Sequence, residues 1–352
     1  MSSSKDVESS GQLMFSVVIG TFNGERTLAT TLDALDEQVT EFSYEILVVN
    51  DASTDGTSEI ANRPNIRVIE VTPNQGHGHA LNVGLGEARG QFMAMLDDDC
   101  VPPPQWIQSL GVAWNSVGPD VTVIGGLVEP FETDTFNRRY VAFRRPLRHQ
   151  EDVIDESAGF GPRLTHHLRP PELRLDPRTV YYTVGANMSV RVRAAREAGG
   201  FSEARGSGEE ESLARPLRAR FGPNTVRLFP EIVMKHNFDA SLRDTMRRSR
   251  SYGFGSGRDW VKNRGIPSLS PLLPMAAVAA GAVAIVSPVS SLVVLVLSPF
   301  ALYRRWFTLR RQARTREIIL YPYVQAGEEL ANNIGFLQGA WREFRKGLRR
   351  NR

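Results

Sequence analysis

The sequence predicts an α/β fold built on a doubly wound, mostly parallel sheet, and two observations carry that expectation. Apolar runs of strand length alternate with helical stretches from residue 14 to about residue 126. Several runs end in polar, turn-forming loops: Gly20-Thr21-Phe22-Asn23-Gly24, Asn50-Asp51-Ala52-Ser53-Thr54-Asp55-Gly56 and Asp97-Asp98-Asp99. If the strands are parallel these loops share the carboxyl edge of the sheet, where open α/β sheets hold their ligands.

The elements follow in order. Phe15-Ser16-Val17-Val18-Ile19 is an apolar strand, and a helix is expected over 27–38. Glu45-Ile46-Leu47-Val48-Val49 forms the second strand, followed by a short helix over 57–62 and a third strand, Ile66-Arg67-Val68-Ile69. A Gly-punctuated helix over about 79–89 leads to Phe92-Met93-Ala94-Met95-Leu96, the strand that delivers Asp97, Asp98 and Asp99. A helix over 104–115 and a strand over 121–124 complete the regular part. Crossovers between parallel strands are expected to be right-handed. Residues 127–180 break the rhythm with Pro, Arg and paired charges, and are read as an insertion. Regularity returns with 181–196 and ends near residue 237.

Composition narrows the class. Cys100 is the single cysteine, which excludes an internal disulfide and a cysteine zinc site and suits a reducing compartment. The net charge is only +3, and Arg replaces Lys almost throughout, a bias read as genome composition of a bacterial host. No basic module with interleaved aromatics is present, so no nucleic-acid partner is expected. Residues 1–13 are Ser-rich and polar, are expected to be disordered, and lack the apolar core of a secretory signal.

From Gly265 to Tyr303 there is no charged residue. The stretch is too long for one membrane span of about 20 residues and divides at Ser287-Pro288, so 265–303 is read as a transmembrane or re-entrant helical hairpin. Basic residues on both flanks are expected to keep both ends, and with them the α/β domain, on the cytoplasmic face of a bacterial cell membrane. A buried core hairpin is the alternative. Within 315–352, Leu330, Ile334, Leu337, Trp341, Phe344 and Leu348 recur in steps of four and three, an apolar stripe opposed by Arg and Lys. Such a helix lies on anionic lipid or packs against protein.

Asp97 and Asp99 point the same way if extended, and two oxygen ligands suit Mg²⁺ or Mn²⁺ shared with phosphates. A solvated turn also uses such triplets. The order of motifs is informative. Val17-Val18-Ile19-Gly20-Thr21-Phe22-Asn23, Val48-Val49-Asn50-Asp51-Ala52-Ser53-Thr54-Asp55-Gly56-Thr57, Asn74-x-Gly76 with Ala80-x-Asn82-x-Gly84, and Leu96-Asp97-Asp98-Asp99 resemble the successive motifs of family 2 glycosyltransferases with the GT-A fold. Gly185-Ala186-Asn187-Met188-Ser189 and Gly208-Glu209-Glu210-Glu211-Ser212 resemble its acceptor-side and acidic blocks. The resemblance covers about residues 14–255.

It implies an inverting, metal-dependent transferase that moves one sugar from a nucleoside diphosphate sugar, a UDP-sugar first among them, to a lipid-linked or cell-envelope glycan acceptor. Thr21, Phe22, Glu25, Asp51, Asn82, Asp97 and Asp98 then fall on the nucleotide-sugar side. Asp97, Asp99 and His236 fall on the Mn²⁺ or Mg²⁺ side, and Asn187, Glu209 and Glu211 on the acceptor side. Glu210 falls on the catalytic base, although Glu stands where the family usually has Asp. Consecutive residues of a helix diverge by about 100°, so Glu209, Glu210 and Glu211 cannot all face one substrate. The absence of a Gln-x-x-Arg-Trp block favours single transfer over polymerisation. A polyprenyl-phosphate sugar synthase and an inactive membrane scaffold are the alternatives.

Overall fold

The computed structural model describes residues 13–144, 176–203, 208–238, 241–263, 269, 272–285, 287–303 and 316–350. These form two compact units, the first drawn from Met1–Val128, Asp176–Glu203 and Glu210–His236, the second from Glu129–Leu175, Ala204–Glu209 and Asn237–Arg352.

The first unit is the α/β unit. Its leading strands are β1 (Phe15–Thr21), β2 (Tyr44–Asp51), β3 (Ile66–Val71) and β4 (Phe92–Met95). The helices between them are α1 (Leu28–Asp36), α2 (Thr57–Ala61) and α3 (His77–Glu87). Every residue of β1 and of β4 is buried, as expected of strands covered on both faces of a parallel sheet. Phe15 meets Phe42 edge to face and Phe92 at a tilt, and Phe92 stacks on Trp114 at 4.1 Å. In chain order there follow β5 (Cys100–Val101), α4 (Trp106–Asn115), β6 (Val123–Pro130), α5 (Phe136–Arg144), which belongs to the second unit, β7 (Arg178–Thr179), β8 (Met188–Arg191), α6 (Val192–Glu197), α7 (Glu209–Phe221) and β9 (Val226–His236).

The strand order is β3-β2-β1-β4-β8-β6-β9-β5, with β7 beside β9. The pairs β3–β2, β2–β1 and β1–β4 are parallel. The expectation of a mostly parallel sheet needs correction beyond β4: β8 inserts antiparallel between β4 and β6, and β5 and β7 pair antiparallel with β9. β8 arrives only after the long excursion that follows β6, so no local periodicity reports its neighbour.

Register brings the polar loops level. Val18 lies opposite Met95, so three residues further along each strand Thr21 meets Asp98. Thr21 is also opposite Asn50, which sets the loops after β1 and β2 side by side. At the far end, Cys100 is paired with His236, so the last residue of β9 stands beside the aspartate triplet.

The second unit is helical in its described residues. It contains α5, α8 (Leu242–Asn263), α9 (Leu272–Ala284), α10 (Pro288–Leu302) and α11 (Tyr321–Arg350). The two long helices α8 and α11 pack along one another through glycine. A Cβ at Gly253 would lie 1.9 Å from the Asn332 carbonyl oxygen, and one at Gly335 would lie 2.0 Å from that of Arg250. Gly257 and Gly339 repeat the arrangement against Phe336 and Phe254, so backbone meets backbone along the seam. α5 is tied in by Tyr140, whose hydroxyl donates to Glu328 at 2.5 Å, and by the two-pronged Arg139–Glu317 pair at 2.8 Å.

Three sequence expectations are settled or set aside here. Most of the 127–180 insertion, residues 145–175, and the N-terminus up to residue 12 lie outside the described residues. The 265–303 stretch forms α9 and α10, with Ser287 capping α10 and Pro288 at its first position. At 13 and 15 residues the two helices are about 20 and 22 Å long, against a hydrocarbon core of about 30 Å. Among the described residues no helix is long and apolar enough to cross a membrane.

Candidate active site

The site is built at the carboxyl edge of the parallel strands. Asp97 and Asp99 follow β4, and His236 ends β9 with its side chain 3% exposed. His236 Nε2 lies 3.2 Å from Asp99 Oδ1 and 3.7 Å from Asp97 Oδ2. Ligand atoms of Asp97, Asp99, Cys100 and His236 all fall within 4.8 Å of one another. Two carboxylates and an imidazole suit a hard or borderline divalent cation, so the donor set fits one. Cys100 contributes little: burial, then the neighbouring Asp97 and Asp99 charges, push its thiol well above the ordinary value, and it donates to the Ala186 carbonyl. His77, in the first turn of α3, brings a second imidazole to 4.0 Å from Asp97 and packs over Gly20.

The neighbouring loops are locked to each other by side chains. Asn23 Oδ1 accepts from Thr54 N at 2.8 Å, and Asn23 N donates to Ser53 at 2.9 Å. Glu25 accepts from Gly56 N at 3.3 Å, and its own amide donates to Asp55. Phe22 stands at the end of β1 with half its surface exposed, an aromatic face held open beside the triplet. Asp51 is buried, and its two oxygens accept from Gln75 N at 2.8 Å and Gly76 N at 2.6 Å. Its carboxylate thus fastens the loop into α3, and a base could use only its remaining lone pairs.

Three residues expected to meet substrate are engaged inside the protein. Asp98 turns inward, accepting from the Thr21 hydroxyl at 2.5 Å. Asn82 spends its amide on both backbone groups of Phe201, at 2.8 and 2.9 Å, and on Glu203. Gly200, at φ +74°, makes room: a Cβ there would lie 2.4 Å from Asn82 Oδ1. Asn187 is fully buried, accepting from Trp106 Nε1 at 2.9 Å and donating to the carbonyls of Leu127 and Ile232 at 2.8 and 2.9 Å. A side chain so enclosed cannot reach an acceptor. In each case the motif polar residue holds loops together.

Burial pushes the Asp98 carboxyl up to about 6, with Asp99 and Asp97 adding to the rise and Thr21 opposing it. The sign follows from proton uptake. Between 3.8 and about 6 the folded chain keeps a proton that the unfolded chain has released, so stability falls as pH rises through that window and stays lower above it. Asp98→Asn keeps an acceptor for Thr21 and removes the penalty. In chelator-treated protein it is expected to melt above the wild type at pH 7.5, by up to about 3 kcal/mol of stability, with the gap closing towards pH 4. Thermal melts across that range check this, and a lower melting point for the variant at pH 7.5 would refute it.

The acidic block sorts itself by contact. Glu210 Oε1 accepts from Gly185 N at 2.9 Å, which aims one carboxylate oxygen at the turn before β8. That amide was not legible as a partner from sequence, since 25 residues separate the two. Glu211 pairs with Arg215 one turn along the same helix at 3.2 Å, and Glu209 opens α7.

The profile of glycosyl transferase family 2 matches residues 16–199, more than half of the chain. The chain belongs to that family. Among curated relatives it is 37% identical over 120 residues to glycosyltransferase AglE of Haloferax volcanii, covering 32% of this chain and 39% of that one. It is 31% identical over 157 residues to the dolichol-phosphate mannosyltransferase of Pyrococcus furiosus, covering 41% and 44%. The match thus spans less than half the length of either relative. In fold it is similar to the mannosyltransferase PcManGT from Pyrobaculum calidifontis, solved with GDP-Man and Mn²⁺, at a TM-score of 0.55 and 18% identity over 93% of this chain and 88% of that one. The likeness supports for its α/β unit the GT-A architecture that the sequence leads one to expect.

Proposed function

We propose that this glycosyltransferase is inverting and metal-dependent, and that it moves a single sugar from a nucleoside diphosphate sugar to a lipid-linked or cell-envelope glycan acceptor. The convergence of Asp97, Asp99 and His236 at the sheet edge carries the reading. These residues would hold Mn²⁺ or Mg²⁺, and when bound the ion neutralises charge on the departing nucleoside diphosphate. Phe22 offers its face to the base, and Thr21 keeps the triplet in place through Asp98. His77 stands where it can donate to a phosphate oxygen. Glu210 is the general base. With Oε1 fixed on Gly185 N, its other oxygen takes the proton of the acceptor hydroxyl as that oxygen attacks the anomeric carbon from the face opposite the leaving group. The mannosyltransferase of similar fold was captured with GDP-Man and Mn²⁺, which supports a nucleotide sugar and a divalent ion.

A second reading is a polyprenyl-phosphate sugar synthase, favoured by the identity with the dolichol-phosphate mannosyltransferase. In that case a phosphate oxygen attacks and needs no base, so Glu210 would be dispensable. Calorimetry with UDP, GDP and dTDP, with and without Mn²⁺, tests the donor half. One nucleotide is expected to bind only with metal, and Asp97→Asn with Asp99→Asn to abolish that binding. Binding that ignores both metal and substitution would refute the metal-dependent reading.

A further inference from the structure

The second unit carries a surface that sugar transfer does not use. On α11, Leu330, Ile334, Leu337, Trp341 and Phe344 are all exposed, Leu337 and Trp341 by about 60%. At 100° per residue these five lie within a sector of about 80°. The glycine seam, Gly335 and Gly339, lies on the opposite side, where α8 packs. The stripe is therefore the face left over once α11 has met α8.

The hairpin extends it. Tyr323 falls on the same sector as the stripe, two turns before Leu330. Its hydroxyl donates to the Val296 carbonyl at 2.9 Å and its ring packs on Phe300, so α10 sits against the N-terminal end of that face. α9 and α10 are held together by Ser291 donating to the Ala280 carbonyl at 2.8 Å. Together their described helices contain no charged residue. Ile285 at their turn is 88% exposed, and Val289, Leu292 and Leu297 are each more than half exposed. Apolar surface this extensive and this contiguous marks an interaction site, not chance exposure.

Charge selects the occupant. Arg342, Arg345 and Lys346 are exposed at the C-terminal end of the stripe, with Arg345 over the Trp341 ring at 5.4 Å. The single acid between Leu330 and Lys346 is Glu343, already held by Arg258 at 3.4 Å and Lys346 at 3.6 Å. An apolar face bordered by exposed cations that outnumber the one acid beside them, with aromatic residues at the border, is the make-up of an element lying in an anionic interface. A protein partner of ordinary composition would leave those cations unanswered.

We propose that this face seats the enzyme on the anionic leaflet of a bilayer, with the short α9–α10 hairpin dipping into that one leaflet and α11 lying along the headgroups. The hairpin enters without crossing, because among the described residues neither helix has the length. Tyr323 and Trp341 mark the headgroup level, the preferred depth of their amphipathic rings. The assignment goes beyond the transfer reading and is independent of the site residues.

Flotation of the detergent-purified full chain, diluted into vesicles of phosphatidylcholine with or without phosphatidylglycerol, tests it. The protein is expected to float with the anionic vesicles and at least about tenfold less with the neutral ones. Leu337→Glu and Leu292→Glu, both on exposed positions, should each lower flotation about tenfold with no change in melting temperature. Quenching of tryptophan emission by brominated lipid should fall in Trp341→Phe, which keeps an apolar ring and still floats. Failure to float, or flotation indifferent to both glutamates, would overturn the proposal. So would a vesicle-free dimer by light scattering that Leu337→Glu splits, since the face would then belong to a second copy. Metal-dependent nucleotide binding, measured on the same preparations, is expected to be unaltered and separates failure here from failure of the transfer reading.

Discussion

Glu210→Gln is expected to lower kcat by about 10²–10⁴-fold while leaving nucleotide affinity unchanged. Gln keeps a carbonyl oxygen to accept from Gly185 N, so the 2.9 Å bond to that amide survives while proton acceptance is lost. An interaction used solely in the transition state should depress kcat and kcat/KM together. Glu210→Asp is expected to recover little, because one methylene fewer withdraws the carboxylate from that amide. Glu211→Gln removes a half-exposed pair with Arg215 and should stay within about twofold of the wild type, since such surface pairs contribute about 1 kcal/mol or less. Single-turnover rates, with calorimetric nucleotide affinities beside them, check the set. Near-normal turnover by Glu210→Gln would remove the base assignment and favour attack by a phosphate oxygen.

What the amino-acid sequence makes legible divides along the range of the interactions involved. An apolar strand ending in acids is a local pattern with a topological consequence, so the position of Asp97 and Asp99 at the sheet edge can be read from the chain alone. The parallel strands β1 to β4 are legible for the same reason. The antiparallel β8 is not: its neighbours β4 and β6 are fixed by pairing across about 60 to 100 residues, which leaves no periodic trace. The uncharged run of 265–303 is visible, and so is its division at Ser287-Pro288. How far its helices run is not legible from the absence of charge: among the described residues they are 13 and 15 residues long, and none is long and apolar enough to cross a membrane.

Polar motif residues are the harder case. Asp98, Asn82 and Asn187 stand in motifs that point to substrate, and each also makes contacts inside the protein. An amide or carboxylate looks the same in sequence whether it faces a ligand or a carbonyl. Only the partners decide, and those partners are groups brought close by the fold. The Glu210 anchor is the mirror case, a bond between Gly185 N and a helix 25 residues away that gives one of three consecutive acids a distinct contact.

Asn187 allows that distinction to be measured. Its amide joins α4, through Trp106 Nε1, to β6 and β9, through the carbonyls of Leu127 and Ile232. Gly126 closes the space around it, since a Cβ there would lie 2.4 Å from Asn187 Nδ2. Asn187→Ala strands an indole N–H and takes a donor from two carbonyls in a region without access to water. Each unsatisfied buried group costs about 1–3 kcal/mol, so the substitution is expected to destabilise the chain by roughly 3–5 kcal/mol, a large fraction of a typical folding free energy. Asn187→Asp should be at least as damaging, because a buried carboxylate cannot donate to either carbonyl. Denaturant unfolding is the appropriate measurement. A residue that touched an acceptor would behave differently: its alanine variant would unfold normally and raise KM for the acceptor. Folding cost with unchanged KM in the surviving folded fraction is the outcome that the geometry requires.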